Sequence, residues 1–199
     1  MKHRVFQLLG NTLLICLFLL FFYLNIESFF ETKKLTLLLF AVSAAITVLL
    51  FIIRKTPVRV TTDPFDYLLA ATGTVAPLLF RPSPGGVEGI SVLLVSIGII
   101  IQSLALISLN TSFGIVAADR GIKTSGLYRY VRHPMYASYL FMYSGYVLAN
   151  PNVLNGGILV AAFGVQIWRM IVEEKILSLN PLYIEYRKTV LWRVIPGIF

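Results

Sequence analysis

The chain has 199 residues, 57% of them hydrophobic, with a mean hydropathy of +0.81. Soluble domains lie nearer roughly 45–50% apolar, so composition excludes one and indicates an integral membrane protein. The net charge of +8 would point to nucleic acid in a soluble protein, but here the basic residues fall between apolar runs, where membrane topology accounts for them. The single cysteine, Cys16, allows neither an intrachain disulfide nor a cysteine-based metal site, and His3 and His133 are too far apart to pair readily as ligands. No metal is expected.

Residues 1–4 are a short basic start, and an apolar run follows from Val5 to about Ile26. It lacks the short core and small-residue cleavage site of a secretory signal, so it reads as a retained first span. Leu35–Ile53 is a second span, close to the ~20 residues that cross a bilayer. Asp63 is placed to cap a third segment and Pro64 to open it. That segment runs to about Phe80, interrupted by Gly73 and Pro77, and is short enough to be re-entrant. Asp63 and Asp66 read as first-turn dipole partners rather than catalytic acids. Arg81-Pro-Ser-Pro-Gly-Gly is a turn-rich loop, and Gly89–Leu109 a fourth span.

Residues 110–133 form the longest polar loop, and Met135 to about Ala149 the fifth apolar helix, broken by Asn150-Pro151. Asn155 to about Leu177 makes a sixth, polar only near its C-terminal end. The tail, residues 180–199, is mixed and aromatic, with Tyr183, Tyr186 and Trp192 expected at the membrane interface. No internal repeat or low-complexity segment divides the chain. The expected fold is all-α: one multi-pass membrane bundle over residues 1–199 with about six transmembrane helices. It comprises N-terminal spans (1–109) and a C-terminal half (110–199).

Charge placement tests that layout. With the N-terminus inside and six crossings, the inner face takes fourteen of the 17 Lys and Arg residues, and the outer face only Lys33, Lys34 and Arg81. Such a positive-inside bias predicts cytoplasmic termini. It would be lost if the third segment failed to cross.

Three features converge on the inner face. The first is the loop Lys123 to Tyr136, which delivers itself into a helix: Gly126 allows a turn, and Pro134 suits the first helical position. His133 and the free N–H groups of the new helix, beside Lys123, Arg129 and Arg132, offer a place for a carboxylate or phosphate. The second is a stripe of Tyr136, Tyr139, Tyr143 and Tyr146, spaced three, four and three on one helical face. Such stripes are more often packing than pocket, yet a phenol inside a membrane needs a hydrogen-bond partner. The third is Gln166, Arg169 and Glu173 on one face of the sixth helix. Arg169 and Glu173 are spaced to pair with each other, and Glu174 reads as part of the solvated end. Together these groups suit a zwitterionic, cationic, purine-bearing ligand, of which S-adenosylmethionine is one, although composition alone does not select it. The glycine-rich strand-to-helix turn of soluble methyltransferases is missing.

Gly126-Leu-Tyr128 followed by Arg132-His-Pro-Met-Tyr136, then Asn150-Pro151, Glu173-Glu174-x-x-Leu177, Tyr183-x-x-Tyr186 and Ile195-Pro196, resembles the isoprenylcysteine carboxyl methyltransferase family over roughly residues 110–199. The resemblance implies a membrane enzyme that binds S-adenosylmethionine in a cytosolic-face pocket built by the C-terminal half. Its methyl acceptor is lipophilic and comes from the bilayer, most simply for carboxyl O-methylation. By the same resemblance Tyr128, His133, Pro134, Met135, Tyr136 and Glu173 match cofactor-contacting positions. Arg120, Gly121, Ile122 and Lys123 fall where the family's loop closes over the cofactor, and Arg169 matches the position that anchors the acceptor's carboxylate. Met135 stands where the family often has a small residue, and the loop before Lys123 differs from that of the eukaryotic enzymes. The competing readings are a phospholipid N- or thiol S-methyltransferase of the same superfamily, a non-catalytic membrane module, and a transporter. A transporter predicts internal symmetry that the chain lacks.

Overall fold

The computed structural model describes residues 2–53, 59–60, 64–109, 118–119 and 122–199. Among them are seven α-helices: α1 (Lys2–Thr32), α2 (Leu35–Ile53), α3 (Pro64–Val75), α4 (Glu88–Leu109), α5 (Pro134–Ala149), α6 (Val153–Leu177) and α7 (Pro181–Thr189). A 3₁₀ turn, Ala76–Leu79, continues α3 at the predicted Pro77 break. Two-residue strands β1 (Arg59–Val60) and β2 (Ala118–Asp119) pair antiparallel. Among the described residues four helices are long and apolar enough to cross a membrane: α1 (over Thr12–Thr32), α2, α4 and α6. At about 1.5 Å per residue, the 16-residue α5 reaches about 24 Å, short of the ~30 Å hydrocarbon core.

The predicted boundaries of α2 and α4 hold, and α3 opens on Pro64. Its expected cap, Asp63, lies outside the described residues. The first helix continues past its apolar run to Thr32, whose Oγ1 turns back to the carbonyl of Ser28. α6 starts at Val153, capped by Asn152, whose side chain accepts from Asn155 N at 2.8 Å.

At one end of the bundle a single amine gathers three connections. Lys34 Nζ donates to the Ser83 and Gly85 carbonyls, both at 2.9 Å, to Ala149 O and to Asn150 Oδ1. The α1–α2 turn, the loop before α4 and the C-terminus of α5 therefore meet at one level, with Arg81 N on Asn155 Oδ1 at 2.9 Å. The cation sits where the last carbonyls of α5 lack helical partners. Glu88 Oε1 accepts from Thr36 N and Oγ1, fixing α4 to the first turn of α2.

The tightest seam joins α4 to α5. A Cβ on Gly145 would lie 2.7 Å from Val95 Cγ2 and 2.9 Å from Ser91 O, so glycine lets the two backbones approach. The main core around Phe40, Phe80, Val95, Met142 and Tyr146 lies beside that seam.

Candidate functional site

Gly126, at φ +60, turns the chain into a 3₁₀ turn (Gly126–Arg129), and Pro134 opens α5 as its first residue. The amides leading into the helix do not wait for an anion. Arg132 N and His133 N donate to Trp192 O (2.9 Å) and Arg193 O (2.8 Å), so the tail lies along the helix start. The Arg132 guanidinium also donates to Val190 O and Leu191 O, at 2.8 and 2.6 Å. The two amides just before the helix are thus taken by the tail.

Glu174 is the hub of this closure. Its Oε1 meets Arg132 Nε at 2.7 Å and His133 Nε2 at 3.2 Å, and its Oε2 meets Arg193 Nε at 3.1 Å. Glu174 is 5% exposed and Arg132 7%, so the reading of Glu174 as part of a solvated end is corrected. A carboxylate at that depth persists because both of its oxygens meet a cation or donor. The tail is corrected too: it contains α7, and Tyr183 and Tyr186 are buried with Val190 rather than set at an interface. Tyr186 OH donates to Tyr128 O at 2.6 Å. Burial pushes the Tyr183 and Tyr186 phenols well above their ordinary range.

One position along α6, Glu173 points elsewhere. Its Oε2 accepts from Tyr136 OH at 3.0 Å, and its other oxygen has no hydrogen-bond partner among the described residues. Arg169 Nη1 donates to Gln166 Oε1 at 3.0 Å, and the guanidinium lies 6.0 Å from the Tyr136 ring centre. Among the described residues no ion pair joins Arg169 to Glu173. Gln166 Nε2 in turn donates to Gly73 O at 3.1 Å. A Cβ at Gly73 would lie 2.8 Å from Arg169 Cδ and Nη1, so this glycine is what lets the arginine lie flat across α3.

The tyrosine stripe divides. Tyr146 belongs to the core, stacked on Phe80 at 5.0 Å, and its buried hydroxyl has no partner among the described residues. Tyr139 and Tyr143 stack face to face at 5.6 Å, and Tyr136 meets Tyr139 edge-on. Tyr139, Tyr143, Met135, Gly73, Gln166 and Arg169 line a cavity that residues of α1, α2 and α4 complete. An arginine and two glutamines on a cavity at membrane depth mark it as more than packing.

Residues 87–180 match the phospholipid methyltransferase family. That family belongs to the isoprenylcysteine carboxyl methyltransferase-like group of membrane methyltransferases, so the resemblance read over residues 110–199 holds at that level. No curated protein matches the chain. The matched segment opens one residue before α4 and ends at Asn180, the cap of α7. It contains Tyr136, Arg169 and Glu173, and leaves out Gly73 and the tail strap.

Of the sequence-read residues, Tyr136, Arg169 and Glu173 come together. His133 is turned to Glu174, Pro134 is fully buried, and Tyr128 and Met135 pack together with Ala105 and Leu106. Ile122 packs on the Tyr183–Tyr186 cluster, and Lys123 is half-buried. Arg120 and Gly121 lie outside the described residues. Sequence reasoning missed Glu174 as a hub and Gly73 as a seat for Arg169.

Proposed function

We propose that this chain takes a methyl group from S-adenosylmethionine at the cytoplasmic face and transfers it to a lipophilic acceptor that enters from the bilayer. One observation carries the reading: within a segment that matches a methyltransferase family, Tyr136 separates a carboxylate with an unused oxygen, Glu173, from a guanidinium that borders a membrane cavity, Arg169. The residues fit such a ligand. Glu173 offers an acceptor to an ammonium or ribose hydroxyl, and Tyr136, Tyr139 and Tyr143 offer faces to a ring or a cation. When bound, the cofactor supplies an electrophilic methyl on sulfonium. The chain supplies position: Arg169 holds an anionic acceptor, and the surrounding aromatics exclude water. Orientation of this kind provides roughly 7–11 kcal/mol of barrier reduction. His133 is committed to Glu174 and is not free to act as a base.

Six crossings with both termini cytoplasmic accord with this reading. The connections held by Lys34 share one end of the bundle. α3 with its 3₁₀ turn runs alongside α6, from Phe65 on Trp168 to Arg81 on Asn155. At ~1.5 and ~2.0 Å per residue the pair reaches about 26 Å. That length supports a crossing.

For the acceptor, a lipid carboxylate needs no general base and suits Arg169. The family description equally favours a phospholipid amine, whose phosphate would meet the same guanidinium. Calorimetry of S-adenosylmethionine and its demethylated product on detergent-purified protein tests the cofactor: micromolar binding lost in Glu173→Gln is expected, and no binding by folded protein refutes the reading. Labelled methyl recovered in lipid and released by mild base identifies an ester, whereas base-stable label identifies an N-methyl product.

A further inference from the structure

The cavity that Arg169 lines also carries a polar group that methyl transfer does not use. Gln102, on α4, is 3% exposed and lines the cavity with Ser43 and Thr47 of α2. Its Oε1 accepts from Ser43 Oγ at 2.9 Å, and its amide nitrogen has no hydrogen-bond partner among the described residues. Turning the amide round exchanges which atom is unpaired and still leaves one unpaired. Thr47, whose hydroxyl donates to Ser43 O at 2.9 Å, makes no hydrogen bond to Gln102. The unpaired amide atom is open to the cavity, where an oxygen of a bound ligand would complete it. Gln102 and Arg169 also stand at comparable depth: both helices start at the Lys34 end, and each residue lies about 20–24 Å along its own at ~1.5 Å per residue.

We propose that this cavity takes an acyl chain bearing a hydroxyl or carbonyl oxygen close behind its anionic head, with Arg169 on the head and Gln102 on that oxygen. The inference rests on the reading of the cavity as the acceptor site and narrows the acceptor from any hydrophobic chain to an oxygenated one. Gln102 is then a specificity residue. Were it only a polar link between α2 and α4, its loss would change stability and leave ligand preference untouched.

The test uses octadecanoic acid, 3-hydroxyoctadecanoic acid and 12-hydroxyoctadecanoic acid, titrated against the full-length detergent-purified protein and its Gln102→Met variant. The wild type should bind the 3-hydroxy acid about five- to tenfold more tightly than the parent, the worth of one completed hydrogen bond. The 12-hydroxy acid, its oxygen too far along, should bind as the parent does. Gln102→Met should bind all three alike. Equal affinity of the wild type for the three acids, failure to bind any of them, or a preference that survives in Gln102→Met would overturn the proposal. The wild-type comparison alone decides if the variant does not fold. Cofactor calorimetry separates the two readings: a protein that binds S-adenosylmethionine without the hydroxyl preference loses only this inference, and one with the preference but no cofactor binding loses only the methyltransferase reading.

Discussion

Gly73→Ala separates seating from folding. The new methyl would stand 2.8 Å from Arg169 Cδ and Nη1 and 3.1 Å from Val165 Cγ1. Val165 yields a few tenths of an ångström, but the guanidinium, at the far end of a flexible chain, must leave. In a helix interior alanine is favoured over glycine by about 0.8–1.0 kcal/mol, which offsets the contact strain, so stability should move by less than about 1 kcal/mol. The displaced arginine gives up its place on the cavity, and with it the bond it would make to the acceptor's anionic head. A hydrogen bond to a charged group is worth about 1.5–3 kcal/mol, hence roughly a 10- to 150-fold loss in kcat/KM. The assay is transfer of tritiated methyl into a titrated lipid extract, with calorimetry of the demethylated cofactor alongside. The expected result is a large fall in kcat/KM with product binding within about twofold of wild type. Wild-type kcat/KM in a folded Gly73→Ala protein would refute the seating argument, as would an equal loss of cofactor binding.

The two adjacent glutamates should behave oppositely. Glu174→Gln leaves Arg132 buried without its carboxylate and should cost about 3–5 kcal/mol, seen as a large drop in thermal stability, whereas Glu173→Gln should leave stability near wild type and remove cofactor binding. Lys34→Met strips the shared donor from acceptors at two connections, and about 1.5–3 kcal/mol corresponds to a fall in melting temperature of roughly 3–12 °C. Raised phenol pKa values at Tyr183 and Tyr186 mean that the unfolded chain releases protons near pH 10 while the folded chain holds them, so stability should fall as pH rises past about 10. Trp192 fluorescence should report the tail loosening there in wild type, at higher pH in Tyr183→Phe; an unchanged midpoint would tell against burial as the cause.

How much was legible depends on where each residue's partner sits. α2 was read to its exact ends because a 19-residue apolar run has nothing else to become in a bilayer. α7 was missed because it is short and mixed, yet Asn180-Pro181 carries the same cap-then-proline signal as Asp63-Pro64, and Asn180 Oδ1 does accept from Leu182 N. Glu174 was not legible. Neighbouring helical positions are about 100° apart, and which of two glutamates turns inward is decided by Arg132 and Arg193, 42 and 19 residues away in sequence. Tyr136 beside Glu173 was legible only through the family resemblance, which pairs α5 with α6. Gly73 as a seat for Arg169 needed the packing of α3 on α6.

The cations bear on topology and structure at once. The fourteen counted on the inner face include Arg132 and Arg193, both bound to Glu174, and Arg169, on the cavity wall. Setting those three aside leaves eleven, still well above the Lys33, Lys34 and Arg81 of the opposite face. The positive-inside bias therefore persists without the residues that have a second role. Lys34 also has a structural reason to break the positive-inside pattern, because the carbonyls it meets end α5 at that level. Had the bias vanished after this correction, six crossings would have rested on length alone, where α3 and α5 are the weak members. Because it persists, the proposed orientation, with the Glu173 end of the bundle on the cytoplasmic side, rests on charge as well as on length.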